Sequence, residues 1–578
     1  MKRMIVFVLI VLVFLGRSVE GGEVADQVSF EREILIGKAY LNIPIKNVGD
    51  RNIGDTKDEK DFVRLLADGE MVQEFNLSFA TDQVDWWAFV DVSDYMGQTL
   101  TIRLDSGKGI RAEDMELIHQ TDKIKGWREL YKEKGRPQLH FTSQRGWIND
   151  SNGLVYYKGQ WHLFYQHNPF SRNWGNMHWG HAVSSDLLQW EELGDAIFPD
   201  ELGTIFSGSA VVDWNNSAGF QKGDEKTIVC FYTSAGGYNP WSKGKKYTQS
   251  IAYSTDGGRR FTPYAKNPVI GHIVRGNRDP KVFWHEETGH WVMVLFLDKG
   301  MLGFFVSDNL KDWEETSRID GFHECPELFE LPVDGDEGNK KWVLYGAKGD
   351  YFIGEFDGRK FTPDGEIIPF TYGDCFYASQ TWNDVPKEDG RRIQIGWARV
   401  VIPEMPFNQM LNLPLELTLR NTDEGVRMYA VPVREFDNLR GKKYSFKNEK
   451  LVAGENLLKG IESEFFDIVA EIEVGDAKHI EFNVRGVKIV YDVGKAELTA
   501  NEKTAPVKAI DGKIRLRILA DRGIREVFAN DGRIYMPLGK FTETADKSLE
   551  LFARGGVAKV VGLDVYEMKS IWSAKSPK

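Results

Sequence analysis

The stretch Ser185-Asp-Leu-Leu-Gln-Trp190, which follows the strand-like Gly180-His-Ala-Val-Ser184, indicates how the middle of the chain folds. Related stretches end on an aromatic residue 71, 52 and 48 residues further along, and they are Ser254-Thr-Asp-Gly-Gly-Arg-Arg-Phe261, Ser307-Asp-Asn-Leu-Lys-Asp-Trp313 and the degenerate Phe356-Asp-Gly-Arg-Lys-Phe361. A period of about 50 residues with about four strands per unit is typical of a β-propeller. With a last unit around 377–397, the repeat predicts five blades. A β-sandwich with recurrent turns is the alternative.

The rest of the chain is also predicted to be β-structure. Short runs of Val, Ile, Phe, Tyr and Trp alternate with Gly, Asp and Asn turns, as in Trp161-His-Leu-Phe-Tyr165, and this is an all-β pattern. Three regions can be separated: a β-rich module at 23–130, a Trp- and Gly-rich middle at 137–430, and short alternating strands at 431–578. A charged stretch, Lys123 to Arg136, is predicted to be a linker or a short helix between the first two.

The composition narrows the possible functions. The 578 residues are 42% hydrophobic and 28% charged, as in soluble globular proteins, which excludes a disordered chain, a coiled coil and a polytopic membrane protein. Lys and Arg number 73 against 86 Asp and Glu, a net charge of −13, and this acidic balance argues against a nucleic-acid partner. A neutral partner fits better, and the 17 Trp, 20 Tyr and 35 Phe residues offer flat faces for sugars or for β-sheet cores.

The first 22 residues are predicted to be a cleaved secretory signal. Lys2 and Arg3 precede an apolar run from Met4 to Leu15, which is too short to span a bilayer comfortably. We therefore expect a secreted, periplasmic or cell-surface protein with no membrane contact in its mature form. The chain has only three cysteines, at 230, 325 and 375, with no zinc-ligand spacing. We predict no metal and no cofactor.

Three acidic residues stand out in the middle region. Asp150, Asp279 and Glu324 each lie near the start of a candidate blade, and in a propeller the inner strands of different blades converge on one cavity. Two carboxyl groups a short distance apart are what glycoside cleavage needs, one as a nucleophile and one as a proton donor. Glu324 has weakly polar sequence neighbours, which suits the acid, whereas Asp150 between amide side chains and Asp279 after an arginine should stay ionised.

Several motifs in this region resemble those of glycoside hydrolase family 32, the β-fructofuranosidase and fructanase group. They occur in the family's order and are Trp147-Ile-Asn-Asp-Ser-Asn-Gly153 (the family's WMNDPNG), Phe164-Tyr-Gln-His-Asn-Pro169, Trp174-Gly-Asn-Met-His-Trp-Gly180, Phe206-Ser-Gly-Ser209, Arg278-Asp-Pro280, Glu324-Cys325 and Tyr377-Ala-Ser379. The resemblance covers about 137–440. It implies a five-bladed β-propeller catalytic domain at 137–430 followed by a C-terminal β-sandwich at 431–578. Residues 23–130 would then be an extra N-terminal module.

The resemblance also implies roles for individual residues. Asp150 would be the nucleophile, Glu324 the acid/base, and Asp279 the transition-state stabiliser. Cys325 is expected to tune the pKa of the acid. Ser151 replaces the family's proline, and we expect little effect on geometry because serine can adopt the same extended backbone. Further substrate contacts are carried over to Asn149, Gln166, Trp174, Ser209 and Arg278, and apolar walls to Trp147, Trp179, Phe206 and Trp382.

The leading hypothesis is a retaining, exo-acting β-fructosidase that releases fructose from fructans, levan or inulin. The alternatives with the same machinery are a sucrose-preferring invertase, an endo-levanase and a fructosyltransferase. A catalytically silent fructan-binding protein is an alternative of another class, which the presence of all three acidic residues disfavours. The predicted partner is thus a carbohydrate, fructan or sucrose, and a homodimer is left open.

Overall fold

The computed structural model describes residues 12–17, 26–49, 61–106 and 109–572, with backbone alone at 12–17 and 26–27. The predicted signal segment lies outside these residues except for Leu12–Arg17, a strand that pairs with Asp26–Leu35. The described residues form strands and five short 3-10 helices, which are Ser93–Tyr95, Ala112–Leu117, Trp127–Glu129, Pro240–Ser242 and Arg434–Leu439. No helix in these ranges is both long and apolar enough to cross a membrane.

The N-terminal part consists of two sheets packed face to face. Its strands are β1 (Leu12–Arg17), β2 (Asp26–Leu35), β3 (Tyr40–Ile45), β4 (Asp61–Ala67), β5 (Glu70–Leu77), β6 (Trp86–Asp91), β7 (Thr99–Ser106) and β8 (His119–Thr121). One sheet has the order β1-β2-β7-β4-β5 and the other the order β6-β3-β8. Alternate side chains of these strands, such as Leu41, Leu77 and Leu100, are buried in a shared core, as expected for strands with one solvated face.

The middle of the chain forms successive antiparallel groups of strands. The first four groups are β9 (Gly146–Tyr157), β10 (Gln160–Asn168), β11 (His178–Ser184) and β12 (Glu191–Ile197); β13 (Thr204–Asp213), β14 (Thr227–Ala235), β15 (Thr248–Ser254) and β16 (Thr262–Pro263); β17 (Arg278–His285), β18 (His290–Phe296), β19 (Met301–Ser307) and β20 (Glu314–Asp320); and β21 (Glu327–Val333), β22 (Asp336–Tyr345), β23 (Tyr351–Phe356) and β24 (Phe361–Pro363). Within each group the strands pair in chain order.

A fifth group follows, made of β25 (Tyr377–Thr381), β26 (Arg392–Ala398), β27 (Phe407–Asn408), β28 (Met410–Leu411), β29 (Leu415–Thr422) and β30 (Gly425–Pro432). Here β27 returns to pair with β9, so the end of this region joins its beginning. The first strand of the fifth group also contacts β9, and β13 contacts both β9 and β17. This circular arrangement is a β-propeller, and its five groups fit the five blades that the repeat predicts.

The four repeated stretches of sequence are the turns between the third and fourth strands of the first four groups. In each turn one side chain accepts hydrogen bonds from backbone N–H groups two to four residues further along the chain; these residues are Asp186, Asp256, Asn309 and Asp357. Asp and Asn favour such turns because their short side chains reach the backbone nearby. The repeat in the sequence is therefore a repeat of turn chemistry.

Buried polar contacts hold the first strands of the groups together. The Lys281 ammonium forms an ion pair with Glu327 at 2.9 Å and donates to the Thr381 carbonyl at 3.0 Å. The Ser209 hydroxyl donates to the Pro280 carbonyl at 2.9 Å. Because a buried ion pair is costly to break, these contacts lock the geometry around the propeller axis.

The C-terminal part is a two-layered β-sandwich. Its strands are β31 (Arg440–Leu451), β32 (Phe466–Glu473), β33 (His479–Val484), β34 (Val487–Asp492), β35 (Glu497–Ala500), β36 (Lys503–Pro506), β37 (Lys513–Ala520), β38 (Ile524–Ala529), β39 (Ile534–Gly539), β40 (Leu549–Arg554) and β41 (Ala558–Met568). The sheet orders are β31-β41-β32-β37-β38-β39 and β36-β35-β34-β33-β40. The apolar core of the propeller continues into this part, and buried His140 contacts Asp521 at 2.9 Å across the boundary. The sandwich therefore packs firmly on the propeller.

Candidate active site

The structure brings the three predicted acidic residues into one cluster. Asp150 lies in β9, Asp279 in β17, and Glu324 three residues before β21. Cys325 joins them: its Sγ atom lies 3.6 Å from Asp150 Oδ2 and 3.5 Å from Asp279 Oδ2, and its backbone N–H donates to Asp279 Oδ2 at 3.1 Å. The thiol thus contacts the two aspartates. Burial raises the pKa of Cys325, so the thiol stays neutral and acts as a weak donor.

The backbone at this cluster is unusual. Asp279, Glu324, Cys325 and Ala378 have φ angles of 63°, 40°, 44° and 45°, a left-handed region that non-glycine residues rarely adopt. The strand pairing is also interrupted beside Asp279 and beside Tyr377. Irregular backbone of this kind costs free energy and concentrates at functional sites.

The Asp150 carboxylate accepts two neutral hydrogen bonds. Asn149 Nδ2 donates to Oδ1 at 3.0 Å, and Ser207 Oγ donates to Oδ2 at 2.6 Å. The next residue, Ser151, is fully buried, and its hydroxyl donates to the Ile395 carbonyl at 2.9 Å. The serine that replaces the family's proline therefore anchors the strand that carries Asp150.

Glu324 has the more polar surroundings. Arg278 donates to Glu324 Oε2 from Nε at 3.0 Å and from Nη2 at 2.6 Å, and the Tyr377 hydroxyl donates to Oε1. The guanidinium of Arg278 also lies 4.5 Å from the centre of the Phe296 ring. Because Arg278 holds Oε2 and Tyr377 holds Oε1, both the position and the orientation of the Glu324 carboxylate are fixed.

A pocket of about 480 Å³ opens beside Glu324. Its lining combines two charged residues, aromatic residues and small or polar residues; these are Glu324, Arg278, Trp174, Phe206, Tyr238, Tyr247, Asn76, Gly175, Asn176, Met177 and Thr204. We refer to Trp174, Phe206, Tyr238 and Tyr247 as the aromatic wall, since neighbouring ring centres lie 5.1 to 6.1 Å apart. A larger cavity, of about 1190 Å³, lies between propeller and sandwich and contains none of the three acidic residues.

The predicted substrate-contact residues have different positions in the structure. Arg278 and Trp174 line the pocket, and Asn149 contacts Asp150. Gln166 is buried and donates to the Ile205 carbonyl at 2.8 Å. Ser209 is 1% exposed and joins two inner strands. Ser207, two residues earlier in the chain, is the serine that contacts Asp150.

Among the predicted apolar walls, only Phe206 lines the pocket. Trp147, Trp179 and Trp382 are at most 2% exposed, so that expectation was wrong for them: their rings fill the core. Sequence reasoning missed Ser207, which lies within a motif already noted, and Tyr377, which begins another. It also missed Tyr238, Tyr247 and Asn76, for which the sequence carries no comparable signal.

Comparison with known proteins assigns this chain to a family. Residues 140–432 match the model for the glycosyl hydrolases family 32 N-terminal domain, and residues 435–567 match that for the family 32 C-terminal domain. The chain belongs to glycoside hydrolase family 32. Its motifs were therefore identified correctly, and the protein is a glycoside hydrolase.

Relatives and solved structures within family 32 extend this result. A levanase of Bacillus subtilis (strain 168) is 41% identical over 76% of this chain and 72% of its own length. A levanase of Bacillus sp. (strain L7) is 33% identical over 81% of this chain, which spans only 56% of that relative. The crystal structure of an exo-inulinase from Aspergillus awamori has a TM-score of 0.69 at 29% identity, with 76% of this chain and 100% of that chain covered. The structure of a fructofuranosidase from Schwanniomyces occidentalis complexed with fructose has a TM-score of 0.69 at 29% identity, with 76% of this chain and 99% of that chain covered.

The charge distribution in the family 32 site differs from the sequence-based expectation. Burial raises the pKa of Asp150, and burial, opposed by Arg278 but reinforced by the other carboxylates, raises that of Asp279 to about 7. Burial also acts to raise the pKa of Glu324, but Arg278 and Tyr377 outweigh it and lower the pKa. In the free site these shifts favour a proton on Asp279 over one on Glu324, the reverse of the sequence-based expectation. Arg278 contacts both groups, but burial and the other carboxylates outweigh it at Asp279, whereas at Glu324 it acts together with Tyr377. Sequence adjacency does not reveal this difference.

We predict that Asp279→Asn stabilises the folded protein at neutral pH while lowering activity. An acid whose folded pKa is raised contributes stability below its unfolded pKa and loses it as pH rises through the folded pKa. For Asp279 this window runs from 3.8 to about 7. The melting temperature of the variant relative to the wild type should therefore rise between pH 4 and pH 7. A difference that is constant over this range would contradict the prediction.

Proposed function

We propose that this protein is a retaining β-fructosidase that removes fructose units from the ends of fructan chains. One observation carries the proposal: Asp150, Asp279 and Glu324 come from three different strand groups and meet beside a pocket lined by aromatic rings. The Cys325 thiol contacts both aspartates, and Arg278 contacts both Asp279 and Glu324. Supporting evidence comes from relatives named levanase and extracellular exo-inulinase. Carboxyl pairs beside apolar sugar-sized pockets are typical of glycosidases.

In the first step the Asp150 carboxylate attacks the anomeric C2 of the fructofuranosyl unit, and Glu324 gives a proton to the departing glycosidic oxygen. In the second step Glu324 takes a proton from water, which attacks C2 and releases Asp150. The nucleophile and the acid must lie about 5–5.5 Å apart for this double displacement. Asp279 would hold the sugar hydroxyls as positive charge develops on the ring.

Proton supply to Glu324 follows from the cluster as a whole. Three carboxylates face one guanidinium, so complete ionisation would leave an excess of two negative charges in a buried place. Such groups titrate as a coupled set, and the raised pKa values of Asp150 and Asp279 indicate that the set retains a proton in weakly acidic solution. The hydroxyl groups of a bound sugar can donate hydrogen bonds to Asp279, which favours its ionised form, and we propose that this moves the shared proton to Glu324.

The test is the product pattern of the purified protein on levan, inulin and sucrose. We expect free fructose as the first product from levan or inulin, with no early release of short oligosaccharides. Early release of oligosaccharides would indicate an endo-acting enzyme, and growth of longer chains a fructosyltransferase. Faster turnover of sucrose than of fructans would indicate an invertase. Binding of fructan without product would indicate a silent binding protein and contradict the proposal.

We further propose a secreted protein whose mature chain comprises the N-terminal module at 23–130, the propeller at 137–430 and the sandwich at 431–578. Support for secretion comes from the charged and apolar start of the chain and from relatives named extracellular. Purification from the culture medium with a first residue after the apolar run would support it. A homodimer stays open, and the mass of the protein in solution decides it.

A further inference from the structure

The N-terminal module reaches the pocket through strand β5. Asn76, in this strand, lines the pocket together with Glu324 and Tyr238. Its backbone N–H donates to Asn176 Oδ1 at 2.9 Å, and its carbonyl accepts from Asn176 Nδ2 at 2.8 Å. These two hydrogen bonds use backbone atoms of Asn76, so a change of its side chain leaves both of them in place.

The two residues before Asn76 strengthen this attachment. The Phe75 ring stacks on Phe170 of the propeller with ring centres 3.6 Å apart and an interplanar angle of 8°. The buried Glu74 carboxylate accepts from Arg64 Nε at 2.7 Å and from the backbone N–H of Trp241 at 2.9 Å. Because Trp241 lies in the loop that carries Tyr238, the module also holds one residue of the aromatic wall in place.

The pocket lies on one particular side of the proposed reaction centre. Its lining includes Glu324, which protonates the departing oxygen in the proposed mechanism, but neither Asp150 nor Asp279. Groups beyond the proton donor contact the part of the substrate that leaves. Tyr238 is 51% exposed, so much of its ring is accessible to a sugar. Asn76 is partly exposed and lines the same pocket, and side-chain amides form hydrogen bonds with hydroxyl groups.

We propose that strand β5 of the N-terminal module completes the subsite for the leaving fructan chain, with Asn76 and Tyr238 as specificity-determining residues and Glu74 as a positioning residue. This inference rests on the proposed function. It assigns the module a role in choosing substrates that have a long leaving chain. The module would thereby favour polymers over substrates whose leaving group is too small to reach Asn76.

The experiment compares kcat/KM for a fructo-oligosaccharide of five units with that for methyl β-fructofuranoside, whose leaving group is methanol. One good hydrogen bond or ring contact corresponds to about 3- to 10-fold in binding of the transition state. We expect Asn76→Ala and Tyr238→Ala each to lower kcat/KM for the oligosaccharide by this factor and to leave that for the methyl fructoside within about twofold. Tyr238→Phe, which keeps the ring, should retain most of the activity.

Gln98→Ala is the matched control, because Gln98 is an exposed amide of the same module and does not line the pocket. Gln98→Ala should leave kcat/KM unchanged for both substrates. The inference would be overturned if Asn76→Ala and Tyr238→Ala both left the ratio of the two kcat/KM values unchanged, including by lowering kcat/KM equally for both substrates. A wild-type protein that hydrolyses neither substrate would overturn the proposed function itself.

The positioning role of Glu74 has its own test. In the wild-type background Glu74→Ala should lower kcat/KM for the oligosaccharide. In the Tyr238→Ala background it should cause little further loss, because Glu74 acts through the loop that carries Tyr238. Residues that act through one another are non-additive in this way. Full additivity of the two substitutions would contradict this role.

Discussion

Glu324→Gln is expected to lower kcat on fructans by about 10²- to 10⁴-fold, the usual contribution of a general acid–base residue. The amide has nearly the same shape; its carbonyl oxygen can still accept from Arg278 and its NH2 group can donate to the Tyr377 hydroxyl, so the fold should be preserved. It cannot give a proton to the departing oxygen. Initial rates on levan and inulin, with circular dichroism as the check on folding, measure the effect.

A substrate that needs no proton sharpens this test. Fructosyl fluoride releases fluoride without acid assistance, so the first chemical step in Glu324→Gln should be much less impaired with it than with a fructan. Glu330→Gln is the matched control, since Glu330 lies in β21 just after the site and forms a 3.6 Å ion pair with Lys340 at the surface. Near-native activity of Glu324→Gln on fructans would refute its role as the acid.

Asp150→Ala should be the most damaging substitution, with a loss of about 10⁴-fold or more, because removal of a nucleophile abolishes the covalent route. The Asn149 and Ser207 side chains lose an acceptor, but both can bind water in the space that remains. The folded structure should survive, since a partly buried carboxylate with a raised pKa is removed. Turnover of inulin and the melting temperature together check both statements.

A small external anion provides a second measurement on the same variant. Azide can enter the space left by the carboxylate and attack C2 from the face that Asp150 uses, which should restore part of the rate and give a fructosyl azide of inverted configuration. Asp308→Ala is the control, because the Asp308 side chain is 83% exposed and forms an ion pair with His290 at 2.7 Å. Azide rescue that appears equally in this control would contradict the assignment.

The sequence was most informative where function depends on local chemistry. The recurring Asp and Asn turns and the three acidic motifs were visible because each is contained in a few consecutive residues. The contacts of Tyr377 with Glu324 and of Ser207 with Asp150 were not, because they arise when separate strand groups pack around one axis. The opposite directions in which the pKa values of Asp279 and Glu324 shift were not visible either, for the same reason.

The N-terminal module shows the same limit of local patterns. Its strands follow from alternating apolar residues. Nothing in the sequence around Asn76 indicates that this residue borders the pocket, where it is bonded to Asn176, a residue 100 positions further along the chain. The burial of Trp147, Trp179 and Trp382 makes the complementary point. An aromatic residue in a catalytic motif can serve the core on which the site is built.

The central claim is that Asp150 and Glu324 act in a double displacement, and methanolysis tests it most directly. When the enzyme cleaves a fructan in dilute methanol, methanol competes with water for the covalent intermediate and gives a methyl fructofuranoside that does not change its anomeric form. Nuclear magnetic resonance of this product should show the β-anomer, the configuration of the substrate. Formation of the α-anomer would mean a single displacement and would contradict the assigned roles.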